Sequence, residues 1–311
     1  MPDRIVLLDR HQTALERAES REARRAAAAY RKARQEIVDR LITQWPGTAA
    51  LTPEQASNLL RQSGLLQQID TRLAELEREL GVIVRDVVSH STELGLEQIQ
   101  RELALLPASL RPASLSFGTI NTRMVERFVP VAFSDMQLGT RSLSLQLQRE
   151  LQTGLIQGES FNVLVSRLMR NTPDGQGAAV WRNGELSAER AVRRLVITAE
   201  NGSKQDALAE INRAPGLKVK KQAFAAIGKT TTDCCLRVHG QIRDVDKPFD
   251  LVGTPRFADR MMTPSFHYNC RTSIAMYHPV FEESAPTAKL VASAKDELRS
   301  RENGQQAARA A

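Results

Sequence analysis

Apolar residues recur every three or four positions through the first third of the chain, and this period predicts long amphipathic helices. In residues 10–44 they fall on one face, and alanine is the commonest of them. They are Leu15, Ala18, Ala26, Tyr30, Ala33, Ile37 and Leu41. Alanine buries little area, so this helix is expected to pack closely against a partner or another subunit. Trp45-Pro46-Gly47 is expected to end it.

A second helical stretch follows Thr52, which is placed to cap a helix that has Pro53 at its first position. The three-and-four spacing continues at Leu66, Ile69, Leu73, Leu76, Leu80, Ile83 and Val87. This pattern predicts one long helix or a pair of helices, with a bend at Gly81 or Gly95.

Two breaks divide the rest of the helical pattern. Residues 107–118 contain prolines and several serines, and are interpreted as a linker. Helical spacing returns over residues 121–170. Residues 171–187 are polar and rich in glycine, which predicts a loop. Ser187 is expected to cap the next helix, which should end before Pro215-Gly216.

The pattern changes again after residue 216. Residues 217–227 read as a strand, and residues 230–279 contain short runs and turns with little helical period. The predicted fold is therefore mainly α, with long N-terminal helices and a small α+β C-terminal module that carries a loop-rich Cys/His cluster. The expected segments are a helical arm at 1–106, the linker at 107–118, a domain at 119–281 and a tail at 282–311. The tail is expected to be a terminal helix that frays, or disordered outside a complex.

Composition narrows the class of protein. Aromatic residues make up only 5% of the 311 residues, which agrees with a helical core built from aliphatic side chains. The sequence contains no run of about 18 apolar residues, so no membrane segment is expected. The apolar patch from Ile5 to Leu8 is shorter than a secretory signal requires. The protein is therefore expected to be made and used on the cytoplasmic side of a cell.

The charge balance favours anionic partners. The formal net charge is +7, and residues 182–247 carry 13 basic against 8 acidic side chains. Non-specific double-stranded DNA is the expected partner, with Lys218, Lys220 and Lys221 as candidate phosphate contacts. A solvated basic face without a partner is the alternative.

The three cysteines lie close together in sequence and do not form a disulfide framework. Cys235 and His239 are four positions apart, and His267 and Cys270 are three apart. Two close ligand pairs separated by a loop are typical of a structural zinc site. The predicted zinc ligands are Cys235, His239, His267 and Cys270, and Cys234 or Asp233 can replace His239.

Three other interpretations of the cluster remain open. Cys235 and His267 can form a nucleophile–base pair, although no cysteine protease signature accompanies them. A catalytic metal site is the second, but neither His-Glu-x-x-His nor a deaminase-type motif occurs in the sequence. The third is a metal-free turn held by hydrogen bonds and packing.

The segments "TTDCCLRVHGQ" and "TPSFHYNCRTSI" resemble the C-terminal hallmark of the Mu F-like head morphogenesis family, the minor capsid proteins of tailed bacteriophages. The matching positions are Asp233, Cys235, Gly240, Pro264, His267, Cys270 and Arg271. Thr198 and Glu200 are similar to an Arg-Thr-Glu type element on a helix upstream of the hallmark. The resemblance covers roughly residues 120–280. Many members read Cys-Arg-Cys, and here Thr272 replaces the second cysteine.

The resemblance implies a structural role without catalysis. Such proteins join the portal vertex during procapsid assembly, are present in few copies inside the head, and assist DNA packaging or ejection. The implied partners are the portal protein, scaffold, major capsid protein and DNA. The implied location is the virion, inside the capsid near the portal, after synthesis in the host cytoplasm. Gly240 and Arg271 take structural roles in this interpretation.

Two other functions remain as alternatives to a head protein. One is a zinc-knuckle DNA-binding protein, although no recognition-helix motif stands out. The other is a phage-borne Cys/His enzyme or toxin-related effector, although only about 30 residues follow Pro279, fewer than a further domain needs.

Overall fold

A computed structural model describes residues 4–44, 52, 54–55, 58, 64–112, 115–169, 177–228, 231–252, 260–267 and 270–310. Over these residues the chain is mainly helical, with a few strands near the C-terminus, and the predicted fold class is confirmed. Trp45-Pro46-Gly47, the predicted end of the first helix, lies outside the described residues.

Seven α-helices and five strands make up the described part of the chain. The helices are α1 (Arg4–Gln44), α2 (Leu65–Leu103), α3 (Ile120–Ile156), α4 (Phe161–Met169), α5 (Gly177–Arg213), α6 (Asp233–Val238) and α7 (Thr287–Ala310). The strands are β1 (Lys220–Ala225), β2 (Ile242–Asp244), β3 (Phe249–Asp250), β4 (Arg260–Met261) and β5 (Thr272–Tyr277). Short 3₁₀ turns occupy Ala108–Leu110 and Pro279–Phe281. Among the described helices, none contains an apolar stretch that reaches across a bilayer.

The predicted apolar stripes are the buried faces of α1 and α2. All seven stripe positions of α1 are buried, from Leu15 to Leu41. On α2 the stripe from Ile69 to Val87 is buried as well. The predicted cap at Thr52 is confirmed, because the Gln55 amide donates to Thr52 Oγ1 at 3.2 Å. The Gln55 side chain accepts from the Thr52 amide at 2.9 Å, which completes a capping box.

The glycines of α2 permit close packing. α2 is continuous from Leu65 to Leu103, so Gly81 and Gly95 do not divide it. A methyl group at Gly95 would lie 2.7 Å from the backbone oxygen of Glu200 on α5. A side chain at this position would therefore separate the two helices.

The predicted loop at 171–187 is partly wrong, because α5 begins at Gly177 and Ser187 lies inside it. Residues 170–176 lie outside the described part of the chain. Val180 and Trp181 are buried, so this part of the helix is stabilised by tertiary packing. Gly184 faces the ring of Tyr30, where an added methyl group would come within 2.7 Å of a ring carbon.

The described chain divides into two compact units, each discontinuous in sequence. One unit, here called the helical unit, contains residues 21–85 and 129–192. Arg72 is buried in it and pairs with Glu36, Glu75 and Glu79. The other, here called the sheet unit, contains residues 1–20, 86–128 and 193–311. The predicted borders at residues 106 and 118 divide the chain into consecutive segments, whereas these units interleave.

The centre of the sheet unit is an antiparallel sheet with strand order β2-β1-β5. The predicted strand at 217–227 is confirmed as β1, which pairs with β5 over its full length, from Lys220 with Tyr277 to Ala225 with Thr272. Leu8, Phe224, Ala275 and Leu290 form a hydrophobic cluster beside it. The sheet core therefore joins side chains from both ends of the described chain.

The tail is helical in the structure, as α7, and it packs on the sheet unit. Leu290 and Ala294 are buried. Gly240 has φ of +80°, and a methyl group there would lie 3.0 Å from the side chain of Val291. Arg301 donates to the backbone oxygens of Thr231 and Gly228. These contacts place α7 directly against the segment that leads into α6.

Candidate metal centre

Two short segments of the sheet unit carry the cysteines. α6 follows Thr232 in an extended conformation and buries Cys234 and Cys235. His267 and Cys270 lie just before β5, and the Cys270 amide donates to the His267 carbonyl at 3.1 Å. Ser265 Oγ also donates to the His267 carbonyl, at 2.8 Å.

Cys235 lies at the middle of the cluster. Its Sγ is 3.0 Å from His267 Nε2 and 3.8 Å from Cys270 Sγ. The ligand atoms of Cys234, Cys235 and His267 all lie within 4.8 Å of one another. All three thiols are free and buried. The structure thus brings together three of the four predicted ligands, and Cys234 joins them.

Thr232 is part of the cluster and was not predicted. Its Oγ1 lies 2.7 Å from His267 Nε2 and 3.1 Å from Cys234 Sγ. Its position two residues before the first cysteine was the only signal in the sequence. The hydroxyl helps to orient the imidazole toward the sulfurs.

Contacts within the cluster shift its pKa values. The hydrogen bond with Cys235, together with burial, raises the pKa of the Cys234 thiol to about 12. Burial alone would lower the pKa of His267, but hydrogen bonds with Cys234 and Cys235 outweigh it and raise that pKa to about 9. Burial acts to raise the pKa of Cys270, whereas hydrogen bonds with Cys235 and the backbone lower it overall. The cluster therefore holds protons that a metal ion would have to displace.

His239 is directed to a different part of the sheet unit. Its Nδ1 accepts the Ala225 amide at 2.9 Å, and its ring lies 5.2 Å from that of Phe224. His239 is therefore not among the residues whose ligand atoms cluster. Asp233, the other substitute ligand, is exposed and pairs with Arg301 at 3.3 Å. Cys234 thus takes the place that the sequence assigned to His239.

Burial lowers the pKa of His239 to about 4. The folded pKa lies below the ordinary value of 6.5, so His239 contributes stability that is complete above pH 6.5 and is lost as the pH falls toward 4. The loss amounts to about 3 kcal/mol. We expect His239→Asn, which keeps an acceptor for the Ala225 amide, to remove this part of the pH dependence.

The measurement is urea unfolding of both proteins between pH 7 and pH 4. The difference between the two curves isolates His239 from the other histidines of the chain. Parallel curves across this range would contradict the assignment.

Cys235 and His267 also line a cavity of about 570 Å³. Two ion pairs form another part of its wall: Arg271 with Glu16 at 3.6 Å, and Arg193 with Glu19 at 3.5 Å. Arg271, assigned a structural role from the sequence, therefore contacts an acidic neighbour. The cavity links the cluster to the exposed surface at Gly228 and Arg271.

The three candidate DNA-contacting lysines separate in the structure. Lys218 and Lys220 are exposed, and Lys220 pairs with Asp244 at 3.1 Å. Lys221 is fully buried: its ammonium donates to the Met262 carbonyl at 2.7 Å and lies 5.1 Å from the centre of the Phe249 ring. Adjacent strand positions face opposite sides of a sheet, so Lys221 is removed from the predicted DNA surface.

Glu200, which belongs to the family-like element upstream of the Cys/His motif, lies in a buried network of charged side chains. Glu200 is fully buried, forms an ion pair with Lys204, and its Oε1 lies 2.7 Å from His11 Nε2. Ser273 on β5 donates to the same carboxylate oxygen at 2.9 Å. Thr198 donates only to the Arg194 carbonyl within α5. Glu200 therefore connects α1, α5 and the sheet.

Cys234, Cys235 and His267 form a group that could hold a metal ion, with two sulfurs and one imidazole nitrogen as donors. Cys270 Sγ lies 3.8 Å from Cys235 Sγ, but Cys270 is outside the group whose ligand atoms all lie within 4.8 Å of one another. A metal ion held by this group would join α6 to the segment before β5.

Comparisons of the chain with protein-family models, with curated proteins and with solved structures find no match.

Proposed function

We propose that this chain is a minor head protein of a tailed bacteriophage, acting in procapsid assembly at the portal vertex. The observation that carries the proposal is the contact of Cys235 with both His267 and Cys270. The two halves of the family-like motif lie more than 25 residues apart in sequence. Their convergence in space supports the interpretation of the motif as one functional element.

In this proposal the cluster is a structural zinc site that joins two segments of the chain, and it is called the metal clasp below. The three sulfurs and one imidazole are soft or intermediate ligands, which zinc prefers. All three cysteines are buried, as in a closed structural site. When bound, zinc would stabilise the C-terminal module by joining two segments. Cys234, Cys235 and His267 would hold it, and Cys270, whose sulfur lies 3.8 Å from that of Cys235, would complete the four ligands.

The clasp is tested by metal analysis of protein purified without chelators. We expect about one zinc ion per chain. Single alanine variants of Cys235, His267 and Cys270 should lose most of it. The matched control is His239→Asn, which should retain zinc because His239 lies outside the cluster. Metal-free wild-type protein, or loss of zinc in the control, would contradict the assignment.

The assembly role is tested by binding to the portal protein encoded in the same genome. We expect the full chain to co-purify with portal assemblies, and a phage lacking this chain to yield defective heads. Binding should be tested with the free portal and with portal inside procapsids. Failure in both states would overturn the proposal, and it would leave the metal result unaffected.

Contact with packaged DNA is the second part of the proposal. Lys218 and Lys220 are the exposed members of the predicted basic set. We expect binding to double-stranded DNA that ignores sequence and weakens steeply with salt. The double variant Lys218→Gln/Lys220→Gln should lower the log–log salt slope by about 1–2. Lys295→Gln, an exposed lysine outside residues 182–247, is the matched control and should leave the slope unchanged. An unchanged slope in the double variant would remove these lysines from the interface.

A second candidate function is an enzyme that uses Cys235 as its nucleophile. The 3.0 Å contact with His267 and the position of both residues on the cavity wall favour it. Stoichiometric zinc distinguishes the two functions, since a sulfur bound in a closed zinc site is not free to attack a substrate. Zinc that depends on Cys235 would therefore exclude the enzyme.

A further inference from the structure

The side chains of Cys235 and Cys270 lie close enough to form a covalent bond as well as to share a metal ion. Their sulfurs lie 3.8 Å apart, although the residues are 35 positions apart in sequence. Both thiols are free. A disulfide bond is about 2.05 Å long, so a movement of less than about 2 Å would bring the sulfurs to bonding distance.

A small oxidant can reach Cys235 through the cavity. Among the three thiols, Cys235 is the one that lines it. The rim is accessible, since Ile227, Gly228 and Arg271 are exposed. Cys270 is buried and is not among the described residues that line the cavity. An oxidant entering the cavity would therefore meet Cys235 first, with Cys270 as the neighbouring thiol.

Cys234 is less well placed for the same reaction. Cys234 and Cys235 are consecutive residues of α6, and their side chains are hydrogen-bonded. The Cα atoms of consecutive residues are about 3.8 Å apart, whereas a disulfide usually joins Cα atoms about 4.4–6.8 Å apart. A bond between these two cysteines would therefore distort the backbone of α6.

We propose that Cys235 and Cys270 form a disulfide when the metal-free cluster meets hydrogen peroxide. The Cys235 sulfur attacks the peroxide O–O bond, which gives a sulfenic acid and one molecule of water. The Cys270 sulfur then attacks the sulfenic sulfur, which forms the S–S bond and releases a second water. Two thiols are oxidised by two electrons in total, and the peroxide is reduced by two.

The product would join the same two segments as the metal clasp. This inference concerns the cluster of the proposed function, but it depends only on the free thiols and the cavity. In the metal-bound state both sulfurs would be occupied as ligands, and the reaction would be blocked. The module would then have two alternative clasps, one of metal and one covalent.

The test uses the full chain, with hydrogen peroxide as the oxidant. Protein freed of metal by a chelator should fall from three titratable thiols to one. A tryptic digest under non-reducing conditions should contain peptide 230–237 linked to peptide 261–271. This readout on the wild-type chain does not depend on how any variant folds.

Three variants identify the cysteines that form the bond. The helical content of each variant is first checked by circular dichroism. Cys234→Ser is the matched control and should still form the link. Cys270→Ser should stop at the sulfenic acid, which dimedone traps on Cys235. Cys235→Ser should form no link. A bond to Cys234, a bond between chains, or three surviving thiols in metal-free wild type would overturn the inference.

Zinc-loaded protein separates this inference from the proposed clasp. If zinc binds, the loaded protein should keep its three thiols under the same peroxide treatment. If no zinc binds but the link forms, the metal clasp fails and the disulfide stands. If zinc binds but metal-free protein forms no link, the disulfide fails alone.

Discussion

Replacing Glu200 by alanine is expected to destabilise the chain by about 3–5 kcal/mol, because it leaves buried positive charge without its partner. Lys204 is fully buried beside Glu200, and His11 is buried at 2.7 Å from the same carboxylate. Burial alone would raise the pKa of Glu200, but Lys204 and His11 outweigh it and lower that pKa to about 2. The carboxylate is therefore charged in the folded chain, and its removal disrupts a network.

Urea unfolding at neutral pH measures the effect. Thr198→Ala is the matched control: the exposed Thr198 hydroxyl donates to the Arg194 carbonyl of its own helix, and its loss should cost less than about 1 kcal/mol. Adding Lys204→Met to Glu200→Ala should recover part of the stability, because it removes the unpaired charge. A Glu200→Ala effect as small as that of the control would show that the network does not stabilise the fold.

Replacing Gly240 by alanine is expected to cost about 2–4 kcal/mol, from two sources that add. The residue has φ of +80°, which an L side chain adopts at a cost of about 1–2 kcal/mol. The methyl group would also lie 3.0 Å from the Val291 side chain and 3.3 Å from the Val291 backbone nitrogen. The contact with the α7 backbone cannot relax by a side-chain rotation, so α7 has to move.

Gly216→Ala is the matched control for this substitution. Gly216 has φ of +89°, but an added methyl group there meets nothing within 4 Å. It should therefore show only the backbone cost. The difference in unfolding free energy reports the contact with α7, and faster proteolysis of residues 287–310 in Gly240→Ala should accompany it. Equal costs for the two variants would mean that α7 does not constrain residue 240.

The long helices could be predicted because their burial repeats with the helical period. Every stripe position on α1 is buried as expected. The start of α5 could not be predicted, because Ser187 is a residue type that often caps helices. The helix begins earlier because Trp181 is buried and Gly184 packs against the ring of Tyr30, which is distant in sequence. The pairing of β1 with β5 is equally non-local and follows only from the folded chain.

The candidate metal site, too, could be predicted from the sequence only in part. The two Cys/His pairs were visible from their spacing, and the structure brings Cys235, His267 and Cys270 together. Spacing alone paired His239 with Cys235 as close ligands. In the structure α6 ends at Val238, and the His239 ring accepts a hydrogen bond from the Ala225 amide of β1, so it is directed away from the sulfurs. Lys221 was misplaced for a different reason: β1 is the central strand of the sheet, and its residues from Lys221 to Ala225 are all buried.

The hydrophobic cluster beside the sheet has a consequence for the time at which the protein can fold. Leu8 and Leu290 belong to the same core. On a ribosome, the sheet unit therefore cannot complete this core until Leu290 has emerged, and the part of α1 that contains Leu8 must wait for α7. Completion of the sheet unit is thus expected to follow that of the helical unit, whose residues lie within 21–192 and are made earlier.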